Sequence, residues 1–502
     1  MNFRFLILTG ILCFACTNNR STPLVVPNIL WIYLEDTSPL MSCYGETLIS
    51  TPNIDYLAEN GTLYSKAIMP APVCSPCRSA IITGQMATSL GLHNHHSSRS
   101  AESAIYLPDG LKTIPELFRQ AGYFTFNNGK DDYNFHYDRS KLYQQDYRLH
   151  ALYGNSGVHL EFSEIADNQP FFGQIQLRGG KEVFSRQFED RVKTPVDRDQ
   201  IELPPYLPNH PVVVEEYANH LDAIQITDDR VGQIMAELKE NGLLNNTIVF
   251  FFSDHGMRLT RHKQFLYEGG IHVPLIIADF TETSEVESGA KDDRLISGID
   301  LGPTALSMAG IEIPDRMEGR DILDASLERE YVISARDRCD FTIDRIRSVR
   351  SGQFKYIRNF MTDRPFTQRT YMDVDSVDFV RVLKELNAQG ELDAVQSVFF
   401  SSQRPSEELY DLHVDPYEIN NLADHPDYQK DLRNHREILH QWMAETNDKG
   451  QYPESEEGLK FMLGIWGEHA LNPEYQAIRA KYPDYEGSLW PLKSQQAKLI
   501  EI

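Results

Sequence analysis

Asn28-Ile29-Leu30-Trp31-Ile32-Tyr33-Leu34 runs without a break into Glu35-Asp36. An apolar, β-prone run that does not alternate with polar residues predicts a strand buried on both faces. Its abrupt end on two acids places carboxylates at the C-terminal tip of that strand. Downstream, Thr51-Pro52 to Gly61 has helix signals at both ends, so the opening reads strand, loop, helix. The pattern repeats outward: a helix over Thr113 to Gly122, strands at Tyr123 to Asn127 and Phe171 to Leu177, and a long helix from Val213 to Asn241. Strands at Thr247 to Phe252 and Val273 to Ala278 follow. Single strands alternating with helices predict an α/β fold, a mostly parallel sheet sandwiched by helices, whose ligands sit beyond the carboxyl ends of the strands.

After Pro314 the texture changes. Tyr331 to Ala335, Arg347 to Val349 and Phe354 to Ile357 read as short strands, and His425 to Asn447 as a charged helix. Length and texture predict a catalytic domain over 24–320, a smaller α+β domain over 321–447, and a tail over 448–502 with no assigned element. The formal charge of −25 repels polyanions, which excludes nucleic acid as a partner class and requires any anion-binding site to be a local basic pocket. At the start, Arg4 precedes an apolar run from Phe5 to Ala15, too short to span a bilayer and shaped like an export signal over 1–16. Ala15-Cys16 fits lipidation of Cys16, so the expectation is an exported protein, periplasmic or an outer-membrane lipoprotein of a Gram-negative bacterium, touching membrane only through that anchor.

Cys43, Cys74, Cys77 and Cys339 remain as thiols beyond the signal, too sparse for a disulfide scaffold. Cys74-Ser75-Pro76-Cys77-Arg78 followed by Ser79 to Gly84 reads as a helix beginning near Pro76 and ending at Gly84. Cys74 then lies at a helix N-terminus, where unpaired N–H groups and the nearby Arg78 suit an anion such as sulfate. The Cys-x-x-Cys spacing equally suits a redox dithiol or one structural disulfide.

The longer pattern Cys74-x-Pro76-x-Arg78 with Thr83-Gly84 after it resembles the type I, formylglycine-dependent sulfatases of the alkaline phosphatase superfamily. The resemblance runs from Pro27 to Asn447, with the motifs in the family's order. It implies an alkaline-phosphatase-like fold, oxidation of Cys74 to formylglycine by a maturation enzyme, and attack of the hydrated aldehyde on the sulfur of a sulfate ester. It further implies one calcium ion, with Glu35, Asp36, Cys74, Asp254 and His255 as its ligands; oxygen donors with one imidazole suit calcium, and magnesium next. Arg78, Lys130 in Asn128-Gly129-Lys130, and Lys263 before Tyr267-Glu268-Gly269-Gly270 are implied to bind the sulfate. Glu408 to Asp411, Asp415-Pro416 and Asn420 to Ala423 resemble the family's smaller domain. In texture the chain is similar to the branch holding N-sulfoglucosamine sulfohydrolases and bacterial polysaccharide sulfatases, including those acting on ulvan.

Two positions depart from the family. The histidine usual two residues after the first lysine is Asp132, and the one usual after the strand ending at Leu177 is Arg178. Arginine does not serve as a proton donor, so the general acid is left unassigned, with His93-Asn94-His95-His96 as a replacement imidazole source. His95, Asp132, Arg178 and Arg336 are the substrate-binding candidates, with Arg338 and Lys355 as further cations for a substrate carboxylate or second sulfate. The function expected is removal of sulfate from a sulfated carbohydrate. Its variants are a sulfamidase on N-sulfated glucosamine and a non-catalytic glycan binder, and the other classes are phosphoester hydrolysis and dithiol redox chemistry.

Overall fold

In a computed structural model of the protein, which describes residues 26–146, 162–282, 284, 286–374 and 377–483, the opening run is strand β1 (Asn28–Leu34), buried along its whole length. The signal segment, Cys16 and the last residues of the tail lie outside the described residues. The further strands of the large sheet are β2 (Gly61–Ile68), β3 (Phe124–Asn128), β4 (Gln145–Asp146), β5 (Phe171–Leu177), β6 (Thr247–Ser253), β7 (His272–Val273), β8 (Leu275–Asp279) and β9 (Ala290–Ser297). Their order is β4-β3-β5-β1-β6-β8-β2-β7, with β9 beside β2. β1 is parallel to both β5 and β6, and β3 is parallel to β5. β8 is antiparallel to β6 and to β2. The sheet is therefore mixed and mostly parallel, as the alternation predicts.

β2, β4 and β9 escape a search for continuous apolar runs. β2 carries Ser65-Lys66 in its middle, and the first half of β9 is polar and partly exposed. The expected strand over Val273 to Ala278 is divided at Pro274, which has no N–H to give a ladder.

Alternate side chains of β1 enter two cores. Ile29, Trp31 and Tyr33 face the layer containing α2 (Cys74–Thr83), whereas Leu30, Ile32 and Leu34 face α1 (Pro52–Glu59). α3 (Ile114–Gln120) joins the first layer, and α4 (Pro211–Glu240) joins the second. α5 (Leu301–Met308) completes the first. Trp31 meets Phe172 and Phe252 edge-on at 5.1 and 5.6 Å between ring centroids, contacts worth roughly 0.5–1.5 kcal/mol each beyond area burial. This packing fixes β1, β5 and β6 rigidly, so the loops at their C-terminal ends share one rim.

The smaller antiparallel sheet is β10 (Tyr331–Arg336), β11 (Ile346–Ser351), β12 (Phe354–Asn359) and β13 (Glu407–Asp411), in that order. α6 (Asp378–Gln389) leaves it to bury Phe379 and Leu383 in the core beneath α4. α7 (Gln429–Glu445) covers one face of the small sheet through Leu432 and Leu439. The other face, with Val332, Ile346 and Ile357, packs on Phe265 and Ile271 of the large domain. The Ala335 N–H donates to Pro70 O at 2.9 Å, so β10 braces the chain just before α2.

The tail is not without structure, contrary to expectation: α8 (Glu456–Trp466) and α9 (Pro473–Lys481) bury Met462, Trp466 and Tyr475 against Phe341 and Ile343. Their apolar positions are masked by the surrounding Tyr, Pro and Glu, and α8 still has Ser455 capping the Gly458 N–H. Met462→Ala is expected to cost about 2–5 kcal/mol in urea unfolding; a loss below about 0.5 kcal/mol would mean the tail is not part of the cooperative fold.

Candidate active site

α2 begins at Cys74, two residues earlier than the Pro76 signal indicates, with Val73 extended before it and Gly84 left-handed after it (φ 64°). Pro76 sits in the first turn, where no backbone donor is required. Every residue of α2 is buried, so the helix is a core element that presents its N-terminus to a cleft. The two thiols, three residues apart in α2, meet different partners. Cys77 Sγ donates to Asp254 O at 2.8 Å, and burial, then Asp254, push its thiol well above the ordinary value. Cys74 instead lines the cleft, and both cysteines are free. A disulfide between them is not formed, and the buried Cys77 is a poor redox partner.

Four cations converge on Cys74. Arg78 is fully buried: Nε donates to Asp254 Oδ2 at 3.0 Å and Nη1 to Gln176 Oε1 at 2.8 Å, with its Cζ 4.3 Å from the Tyr33 ring centre. Lys263 Nζ lies 2.8 Å from Asp36 Oδ2 and 3.7 Å from Cys74 Sγ. Lys130 Nζ lies 3.0 Å from Glu35 Oε2 and 3.3 Å from Asp132 Oδ2; Gly129, at φ 120° with Gln176 close against it, allows the sharp departure from β3. The fourth is Lys181, which the motif reading misses: it pairs with Glu35 and stands 3.9 Å from Cys74 Sγ. Gly179-Gly180 after β5 is the signal for it. A Cβ on Gly180 would lie 2.2 Å from Asp36 O, so only glycine lets this loop press on the end of β1. Burial alone raises the Cys74 thiol, but Lys130, Lys181 and Lys263 outweigh it and bring it down to about 6. This is the local positive pocket that the net charge calls for.

Among the lysines, Asp36, Cys74, Asp254 and His255 offer ligand atoms all within 4.8 Å of one another. Asp36 Oδ1 is buried without a hydrogen bond, 3.4 Å from His255 Nε2 and 3.7 Å from Lys181 Nζ. The His255 ring donates from Nδ1 to Gly256 O at 2.9 Å, which leaves the Nε2 lone pair facing the group, 3.2 Å from Cys74 Sγ. Glu35 stands beside this group, its carboxylate drawn to Lys130 and Lys181 and its Oε1 4.0 Å from Arg78. Asp36 holds a left-handed backbone (φ 50°), a cost of order 1–3 kcal/mol that marks a constrained site.

The cleft of about 910 Å³ continues outward past Arg178, Asp132, His95 and His96. His95 and His96 stack at 3.7 Å, and His96 Nε2 is 3.3 Å from Asp132 Oδ1. Arg336 is not brought to the cleft: it is buried and paired with Asp344 in the small domain. Arg338 is likewise consumed by Glu454, and Lys355 by Glu268. An arginine on a strand of a small sheet pairs internally because burial of an uncompensated charge is costly, which a sequence alone does not reveal. Trp466 of the tail and Tyr371 also line the cleft.

The sulfatase family model matches residues 27–311. The chain belongs to the sulfatase family. Membership places it among the sulfuric ester hydrolases. It is 32% identical over 469 residues to an ulvan-active sulfatase of Formosa agariphila, covering 86% of this chain and 77% of that one. With N-sulphoglucosamine sulphohydrolase of Homo sapiens it shares 25% identity over 467 residues, 84% and 90% of the two chains. The solved structure of a 2-O GAG sulfatase superposes with a TM-score of 0.62 at 20% identity, over 85% of this chain and 94% of that one, a likeness of fold. All motifs assigned to this sulfatase's centre, Cys74 to Arg78, Lys130, Asp254-His255 and Lys263, fall inside the matched span.

In the chain as translated, metal-free, iodoacetamide labelling of Cys74 is expected to rise with pH through about 6, because the thiolate is the nucleophile, while Cys77 stays unlabelled. Peptide mass spectrometry checks this; labelling of Cys77 alongside Cys74 would contradict the geometry.

Proposed function

We propose that the protein removes sulfate from a sulfated carbohydrate, using formylglycine made by oxidation of Cys74 and one calcium ion held by Asp36, Asp254 and His255 together with residue 74. The observation that carries this is the convergence of four cations and a carboxylate–imidazole group around Cys74. The donor set fits the ion: hard carboxylate oxygens, one of them orphaned in the interior, and an imidazole whose far nitrogen is already fixed. When bound, the ion supplies Lewis-acid stabilisation of negative charge on oxygen. Glu35 is proposed to complete the site on the lysine side.

The protein's own residues do the rest. Arg78 is locked to Asp254 and Gln176, and its Nη2, buried without a hydrogen bond, is proposed to turn to the anion. Lys130 and Lys263 bring ammonium groups to where sulfate oxygens would lie, and their carboxylate partners keep them ordered until an anion arrives. His95, Asp132 and Arg178 line the outer cleft and are proposed to meet the sugar.

The similarity to an ulvan-active sulfatase supports bacterial polysaccharide degradation, with ulvan or another algal polymer as substrate. The signal-like start supports export, to the periplasm or as an outer-membrane lipoprotein anchored at Cys16, and a formylglycine-generating enzyme is the implied maturation partner. The similarity to a sulphoglucosamine sulphohydrolase supports a second reading, cleavage of an N-sulfate on glucosamine by the same centre.

Sulfate release from ulvan oligosaccharides and N-sulfoglucosamine, followed by ion chromatography, tests the proposal on protein produced beside a maturation enzyme. Cys74→Ala is expected to lower the rate at least about 10³-fold, as loss of a covalent nucleophile does. Chelation should abolish turnover and added calcium restore it. Undiminished activity in Cys74→Ala would contradict the reading.

A further inference from the structure

The wall of the cleft carries a second group of metal-ligand side chains, none of which belongs to the ion-binding group around Cys74. His95, Cys339 and Asp340 offer an imidazole nitrogen, a thiol sulfur and a carboxylate oxygen, all within 4.8 Å of one another. The three are buried, with 7%, 2% and 8% of their surface exposed, and all three line the cleft. Cys339 is a free thiol. His95 Nδ1 is buried without a hydrogen bond and stands 3.3 Å from Asp340 Oδ1. Ligand atoms at roughly 2.0–2.2 Å from a tetrahedral ion stand about 3.3–3.6 Å apart, so this pair already has the spacing of two corners of such a site.

The backbone holds the three residues together. The His95 N–H donates to Arg338 O at 2.9 Å, the Arg338 N–H to Asn94 Oδ1 at 3.1 Å, and Arg338 Nη1 to His95 O at 2.8 Å. Glu454 fixes the same guanidinium from the tail. Cys339 and Thr342 exchange both backbone hydrogen bonds, at 3.0 and 2.8 Å, which closes a tight turn with Asp340 in the left-handed region (φ 48°), a conformation that few residues other than glycine adopt. The donor set then selects the ion. Sulfur with an imidazole favours a thiophilic divalent ion, zinc above all, over calcium or magnesium, which take oxygen. The overlapping set of His95, His96 and Asp132 lacks sulfur, and its Asp132 is committed to Lys130 and Arg99.

We infer that His95, Cys339 and Asp340 form a second metal site, for one zinc ion, with its fourth position open to the cleft. The S–H bond of Cys339 breaks as the sulfur–metal bond forms, and the proton passes to solvent. The His95 imidazole is neutral, because burial disfavours its charged form, and offers a lone pair. The fourth position takes water or an oxyanion of a molecule lying in the cleft. None of this depends on the chemical state of residue 74.

The test uses the full chain carrying Cys74→Ala and saturated with calcium, so that neither maturation nor the Cys74 thiol enters, with zinc and cobalt(II) as probes. Calorimetry is expected to show one zinc ion bound per chain beyond the calcium, and X-ray absorption of the zinc-loaded chain to show a sulfur ligand. Cobalt(II) should give a thiolate-to-metal charge-transfer band that disappears when Cys339→Ser is added and persists with Cys77→Ser. His95→Ala and Asp340→Asn should each weaken zinc binding at least about tenfold, the lower end of what even an outer-shell partner contributes. No zinc bound in excess of calcium, no sulfur around the bound zinc, or a band that survives Cys339→Ser would each overturn the site. The first two readings leave Cys339 intact, so they decide the matter even where Cys339→Ser fails to fold. Sulfate release by the matured chain is a separate reading, and its absence would bear on the sulfatase proposal alone.

Discussion

Arg78 and Asp254 meet at 3.0 Å with neither side chain exposed to solvent, and the centre depends on that contact. It ties the start of α2 to the end of β6, so that Cys74 and the Asp254 carboxylate cannot drift apart. Breaking such a pair by removing one partner leaves a buried charge uncompensated, a cost of about 3–5 kcal/mol. Gln176 and the Tyr33 ring complete the setting of Arg78. These come from β5 and β1, so one guanidinium registers three parallel strands against one helix. The rigidity of the aromatic core around Trp31 is what makes that registration useful.

Around this contact the chain solves an electrostatic problem. A chain of net charge −25 gathers four cations around Cys74 and balances them with carboxylates. Glu35 and Asp36, adjacent in sequence, serve different cations. Glu35 turns to Lys130 and Lys181, and Asp36 to Lys263 and the His255 group. The left-handed backbone at Asp36 sends the two side chains to different partners. The same pocket lowers the Cys74 thiol, so the cation field acts on whatever residue 74 carries.

Much of this is legible in the sequence, and the illegible parts have physical causes. Buried strands such as β1 and β6 announce themselves because both faces are apolar; β2 and β9 do not, because each is polar over part of its length. Residues in short fixed-spacing motifs, Cys74 to Arg78 and Asp254-His255, come together as expected because strand ends share a rim. Lys181 escapes a motif reading because Arg178 is the first residue beyond the strand and draws the eye. The two glycines that fold the chain back reveal their purpose, close approach, only once the end of β1 is in place beside them. Arg336 reads as available and is not, since pairing with Asp344 is a tertiary event. The tail helices are hidden because they are stabilised by Phe341 and Ile343, roughly a hundred residues or more earlier in the chain, rather than by their own periodicity.

The account turns on the chemical state of residue 74. Mass spectrometry of the peptide Ala67 to Arg78, from protein made in its native host or beside a sulfatase-maturing enzyme, addresses that state directly. The account predicts the mass loss of thiol-to-aldehyde conversion at Cys74, with Cys77 an unmodified thiol. A Cys74 that remains a thiol, or is bonded to Cys77, in a host that matures other sulfatases would contradict it.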